Sequence, residues 1–293
     1  MQNLEQITRL VCQVAREAGS YIRKERAGFS VEKVERKHAH DYVSYVDKGS
    51  EQLIVSQLRE IVPEAGFITE EGTTKMDDVR WKMEETSSVS HHTSDFTWVV
   101  DPLDGTTNFI HGFAPYAVSI ALLQGKDILL GVVYDVCADE CFYAWKDGGA
   151  YIEVRGERKE VRGERKEVRG ERLAVGTSGI NDALLCLQLP YNSDAYKPII
   201  TRLIQRFYGN VGSIRMIGSA AMALCYVAAG RLDAYAERYI GQWDYMAGAL
   251  IVQEAGGCVT DYQGSSDFTR GDSVVATNGV VHEEILQELR SKN

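Results

Sequence analysis

The chain has 293 residues, 44% of them apolar and 25% charged, which suits one or two large folded cores and excludes a disordered chain. A formal charge of −10 excludes a general binder of nucleic acid or anionic membrane, which needs a basic surface. It leaves room for a small phosphorylated ligand held through a cation.

Residues 4–26 predict an amphipathic helix with Leu4, Ile7, Leu10, Val11, Val14 and Ala18 on one face. Charges interrupt this pattern, unlike a secretory core, so no signal peptide is expected and the cytoplasm is the expected compartment. A short extended segment near 42–46 and a helix over 48–62 follow. Strands are expected at 66–69, 96–101, 116–123, 128–135 and 140–145, the last three spaced as an antiparallel meander. Beyond them come strand 183–189, helix 195–208, strand 213–216, helix 219–229, strand 232–236, helix 244–255, strands 257–260 and 273–276, and helix 281–290. This alternation predicts mixed α/β layers. The apolar run 214–230 is too short and too rich in small residues for a membrane span, so no membrane association is expected.

The cysteines, Cys12, Cys137, Cys141, Cys186, Cys225 and Cys258, lack paired metal-ligand spacing and are expected to be reduced core thiols. Between 154 and 172 the heptad Val-Arg-Gly-Glu-Arg-Lys-Glu occurs twice and then breaks off. One apolar residue per heptad makes no coiled-coil seam, and a repeated glycine opposes a helix, so an expanded surface loop is expected.

The densest chemistry lies in Trp98-Val-Val-Asp-Pro-Leu-Asp-Gly-Thr-Thr-Asn-Phe109. Pro102 stops an apolar strand, so the chain is expected to turn there with Asp101 and Asp104 on either side. Both carboxylates, and the Leu103 carbonyl between them, can converge on a hard cation. Gly105, Thr106 and Thr107 supply N–H and hydroxyl groups suited to phosphate oxygens. In Trp243-Asp244 through Gly257, Asp244 is read as the N-cap of a helix that ends in glycines. Glu70 and Glu71 end a short strand, where successive side chains point opposite ways and only one is expected to face a site. Asp47, after Asp41-Tyr-Val-Ser, likewise reads as a helix cap.

Together these segments resemble the inositol monophosphatase family, within the lithium-sensitive, magnesium-dependent phosphatases. The resemblance implies an α/β fold, an α+β layered sandwich of the inositol monophosphatase/fructose-1,6-bisphosphatase kind. Residues 1–150 would form an N-terminal α+β half carrying most metal ligands and 151–293 a C-terminal α/β half, together one compact catalytic unit. It implies two or three Mg²⁺ ions: Glu70, Asp101 and the Leu103 carbonyl for the first, Asp101, Asp104 and Asp244 for the second, and a looser third near Glu70. Glu70 and Thr106, with Asp47 behind Thr106, would activate the attacking water. Gly105 and Thr106 would hold the phosphate, and Gly218, Ser219, Ala220 and Glu237 the alcohol part. A homodimer is implied as well.

The Thr-Thr-Asn-Phe ending and Glu237 favour the inositol-phosphate branch, so the expected reaction is hydrolysis of myo-inositol monophosphate or a similar phosphorylated polyol. The alternatives are a fructose-1,6-bisphosphatase, a 3′-phosphonucleotide phosphatase acting on adenosine 3′,5′-bisphosphate, and a non-catalytic binding protein that keeps the fold. Three departures from the family pattern stand out. Thr69 replaces a common glycine; the 72–97 loop, with His91, His92 and Asp95, is long; and Leu187-Gln-Leu-Pro190 replaces a more usual Thr-Gly-Phe-Pro.

Overall fold

The computed structural model describes residues 3–29, 34–38, 41–72, 95–154, 170–189, 193–269 and 271–290. Helix α1 (Leu4–Ala27) and helix α2 (Tyr45–Ile61) bracket a two-stranded ribbon of β1 (Val34–His38) and β2 (Asp41–Ser44). Strands β3 (Gly66–Thr69), β4 (Phe96–Asp104), β5 (Ala117–Gln124), β6 (Asp127–Asp135), β7 (Glu140–Trp145), β8 (Gly149–Val154) and β9 (Glu171–Arg172) form a seven-stranded sheet in chain order. Only β3 and β4 run parallel in it; the rest is the expected meander, extended by two strands beyond Trp145. A short helix α3 (Thr106–His111) separates β4 from β5.

The second sheet has the order β11 (Ser213–Arg215), β10 (Leu184–Leu187), β12 (Ala234–Ile240), β14 (Asp272–Thr277), β13 (Cys258–Thr260). Helices α4 (Ser193–Phe207) and α7 (His282–Arg290) pack on one of its faces through Tyr196, Leu203, Phe207, Ile285 and Leu286. Helices α5 (Ala220–Ala228) and α6 (Gln242–Glu254) fill the space between the two sheets, and α1 and α2 cover the far face of the large one. Strand β4 shows the division by alternation: Val99 faces the central helices, while Trp98 and Val100 face α1 and α2.

Close backbone approach lets α5 and α6 fit there. A side chain at Gly248 would meet Leu224 of α5 at 2.6 Å, and one at Gly131 would meet the Ala247 carbonyl at 2.5 Å.

Several expectations change. Strand β4 runs past Pro102 to Asp104, accommodating the proline with a register irregularity against β5 between Asp101 and Asp104, and the chain turns only at Gly105 (φ 88°). Leu10 is 40% exposed, since it falls beside the buried row made by Ile7, Val11, Val14 and Ala18. Cys137 is also exposed, because the apolar run ends in the turn after β6; Cys12, Cys141, Cys186 and Cys225 are buried, and all six thiols are free. Of the repeat, residues 155–169 lie outside the described residues, and Glu171–Arg172 pairs with β8 as an edge strand instead of lying in a loop. His91 and His92 also lie outside them. Among the described residues no helix is long and apolar enough to cross a membrane.

Candidate active site

Five elements end around one point: β3, the β4 to α3 turn, and the N-termini of α2, α5 and α6. Asp101 and Asp104 sit at the end of β4, both buried, and Asp244 comes from the first turn of α6. One carboxylate oxygen of each lies within 4.8 Å of the others. Asp244 is the third residue of its helix and not the cap. Gly241 is the N-cap, and its N–H donates to Asp244 Oδ2 at 2.8 Å. Asp47 likewise sits one turn in: Ser44 caps α2, and its N–H donates to Asp47 Oδ2 at 2.8 Å.

Ionising these carboxylates carries a cost that they impose on one another. Burial raises the Asp101 carboxyl well above its usual range, and the charges of Glu70, Asp104 and Asp244 raise it further. Asp244 is raised by burial and then by Glu70, Asp104 and Glu237. Burial pushes Asp104 up to about 6, against the opposing hydrogen bonds from the Ser219 hydroxyl and the Ala221 and Ala220 N–H groups at the start of α5. A cluster of hard oxygen donors whose charges raise one another's affinity for protons fits a divalent cation such as Mg²⁺, which Asp101, Asp104 and Asp244 could hold. Glu70, just beyond β3, stands outside the 4.8 Å triad yet close enough for its charge to act on two of the three.

Beside the triad, Thr106 Oγ1 lies 2.9 Å from Asp47 Oδ1 and 3.0 Å from the Leu103 carbonyl oxygen. Burial raises the Asp47 carboxyl, partly offset by the Ser44 and Thr106 hydrogen bonds. Gly105 packs against the carbonyls of Gly218 and Pro115, where an added Cβ would stand 3.1 Å from each. The structure therefore brings Gly105 and Thr106 next to the turn of Gly218, Ser219 and Ala220, whose hydroxyl and N–H groups hold Asp104. Glu237, on β12, accepts a hydrogen bond from the Tyr235 hydroxyl at 2.7 Å; burial pushes its carboxyl up to about 7, and Asp104 contributes. Of the adjacent acids, Glu71 is tied back by its N–H to Glu51 Oε2 at 2.8 Å.

Sequence reasoning missed two residues here. Asn108 Nδ2 donates to the carbonyls of Pro115 and Ile217, at 2.8 Å each, joining α3 to the Gly218 turn. Gln188 Oε1 accepts from the N–H groups of Ile217 and Gly218, at 3.2 Å each. The departure at Leu187-Gln-Leu-Pro190 was the available signal for Gln188; Asn108 stands inside the Thr-Thr-Asn-Phe ending, whose local pattern does not reveal its bond to Ile217.

The model of the inositol monophosphatase family matches residues 3–293. The chain belongs to that family. Inositol monophosphatase 2 of Solanum lycopersicum is 37% identical, with 98% of each chain covered. The Nus factor SuhB of Pseudomonas aeruginosa is 36% identical over 98% of this chain and 97% of its own. Among solved structures, the extragenic suppressor protein suhB of Bartonella henselae superposes with a TM-score of 0.80 at 30% identity, covering 98% of this chain and all of that one. As a member of a phosphatase family, this chain has the layered α/β fold that the motifs led one to expect.

Proposed function

We propose that the protein hydrolyses a small phosphate monoester with Mg²⁺, most directly myo-inositol monophosphate. The observation that carries this reading is the convergence of Asp101, Asp104 and Asp244, raised by burial and by mutual repulsion, in a chain of the inositol monophosphatase family. Mg²⁺ at such a site supplies charge neutralisation for the phosphoryl oxygens and acidification of the attacking water.

In this reading Glu70, Asp101, the Leu103 carbonyl, Asp104 and Asp244 hold two or three ions. Thr106 Oγ1 accepts the water's proton while passing its own to Asp47 Oδ1, 2.9 Å away, and Glu70 orients the water from the other side. A carboxylate whose affinity for protons is raised by burial suits that task. As the water oxygen bonds to phosphorus, the bond to the alcohol oxygen breaks; the departing oxygen takes a proton from a second water, and the hydroxide left behind recovers the proton held by Asp47. The N–H groups of Gly105 and Thr106 bind the phosphate. Glu237 accepts from hydroxyls of the alcohol, with Gly218, Ser219 and Ala220 lining its other side.

Phosphate release from inositol 1-phosphate, fructose 1,6-bisphosphate, adenosine 3′,5′-bisphosphate and glycerol 2-phosphate, with Mg²⁺ and with chelator, tests this. Turnover that needs the metal and is led by inositol 1-phosphate supports it. Another leading ester moves the substrate, and no turnover by folded protein in Mg²⁺ sinks the enzyme reading. Sensitivity to Li⁺ and a homodimer in sedimentation belong to the same reading.

The name of the Pseudomonas relative favours a second reading, action as a Nus factor. An Asp104→Asn variant without turnover that still replaces that relative in its own cell would support it.

A further inference from the structure

Gln188 occupies the junction between the Gly218 turn and Glu237. Strands β10 and β12 run parallel with Leu187 opposite Ala236, and the Gln188 N–H reaches the Ala236 carbonyl at 3.5 Å. Continued by one residue, this register sets Gln188, just past the end of β10, beside Glu237 in the middle of β12, about 4.8 Å apart across a sheet. Alternation puts them on one face with Cys186 and Tyr235, the face turned to α5 and α6. On the other side of β10, β11 runs parallel with Arg215 opposite Cys186, and the chain just past β11 brings Ile217 and Gly218 to Gln188.

The orientation of the amide follows from its partners. Both groups it meets there, Ile217 N–H and Gly218 N–H, are donors, so the atom facing them is the oxygen. Gln188 is 5% exposed, and its amide nitrogen has no hydrogen-bond partner among the described residues. A donor left over on the face that also carries the Glu237 carboxylate matches one ligand chemistry well. A hydroxyl both donates and accepts, so it can give its proton to Glu237 and take one from Gln188.

We propose that Gln188 is a specificity-determining residue that fixes the Ile217–Gly218 backbone through its oxygen and, with Glu237, binds hydroxyls of a polyol substrate through its amide N–H₂. This rests on the phosphatase reading above. It assigns to the chain's own departure at 188 a preference for alcohols carrying hydroxyls over those without.

The test is the ratio of kcat/KM for inositol 1-phosphate to that for phenyl phosphate, an ester whose alcohol bears no further hydroxyl. Gln188→Glu keeps an oxygen for the two N–H groups and removes the donor; Gln188→Met removes both. Loss of one hydrogen bond to substrate lowers the ratio about tenfold in each variant. A ratio within roughly twofold of the parent in the folded Gln188→Glu protein overturns the proposal. So does an equal loss on both esters accompanied by earlier melting, which marks a purely structural clamp. Should Gln188→Met fail to fold, Gln188→Glu decides alone. A parent protein that turns over neither ester in Mg²⁺ fails the phosphatase reading itself, and an unchanged ratio in an active protein fails only the role of Gln188.

Discussion

Thr106 and Asp47 lie 59 positions apart, yet the Thr106 hydroxyl sits 2.9 Å from Asp47 Oδ1 inside the protein. The same carboxylate accepts from the backbone N–H of Ser44 through Oδ2, so one side chain both closes the start of α2 and faces the hydroxyl beside the acidic triad. The hydroxyl proposed to activate the water is thereby tied to a helix end.

Asp47→Asn separates those duties. It should lower kcat for the preferred ester by about a hundredfold, in the range of lost general base catalysis, with a smaller change in KM. Weakening of the capping box should take about 1 kcal/mol from stability. Steady-state kinetics and urea melts check both, and wild-type kcat in the variant would remove Asp47 from the mechanism.

Metal-free protein should lose stability as pH rises. Asp104 moves from an ordinary 3.8 to about 6, and Glu237 from 4.5 to about 7, in the folded state. Between the unfolded and folded values the folded protein holds protons that the unfolded chain has released, so raising pH favours unfolding. Asp101 and Asp244 act in the same direction. Thermal melts in chelator should show Tm falling from about pH 5 to pH 8, and Mg²⁺ should abolish most of the fall. A flat profile in chelator would contradict the raised proton affinity of these carboxyls.

Ser219→Ala removes two contacts at once, the hydroxyl on Asp104 and the cap on the Met222 N–H at 3.3 Å. A stability loss of about 1 kcal/mol is expected from the cap alone. Activity should fall as well, because Asp104 loses the hydrogen bond that most favours its charged form. Chemical denaturation and kinetics on one preparation read the two effects.

Gly131→Ala tests the contact between the large sheet and α6. The new methyl would stand 2.5 Å from the Ala247 carbonyl oxygen, and neither backbone can move without disturbing a packed layer. Overpacking of this kind costs about 1–3 kcal/mol. A melt unchanged from the parent would mean that the layers slide more freely than their packing indicates.

Much of this architecture was legible because its signals are local. The meander shows as apolar runs, α1 as a periodic stripe, and Asp101, Asp104 and Asp244 through their motifs. The misses have physical causes. Pro102 reads as a stop, but a bulge lets β4 continue beyond it to Asp104. Asp47 and Asp244 read as caps because acids are common at both the N-cap and the third helical position, and only the hydrogen bonds from Ser44 and Gly241 separate the two. Strand β8 went unpredicted, since its six residues follow a turn of Lys146, Asp147, Gly148 and open on a glycine. The hydrogen bonds of Asn108 and Gln188 join turns more than a hundred and about thirty positions away in the chain, which no local pattern records.

Helix α6 has no outward side through its middle: every residue from Tyr245 to Val252 is buried. That stretch has no position at which a random substitution passes unnoticed. A saturation scan should therefore show α1 tolerating change in a repeating stripe, while across 245–252 tolerance should collapse to a few small or isosteric replacements at every position.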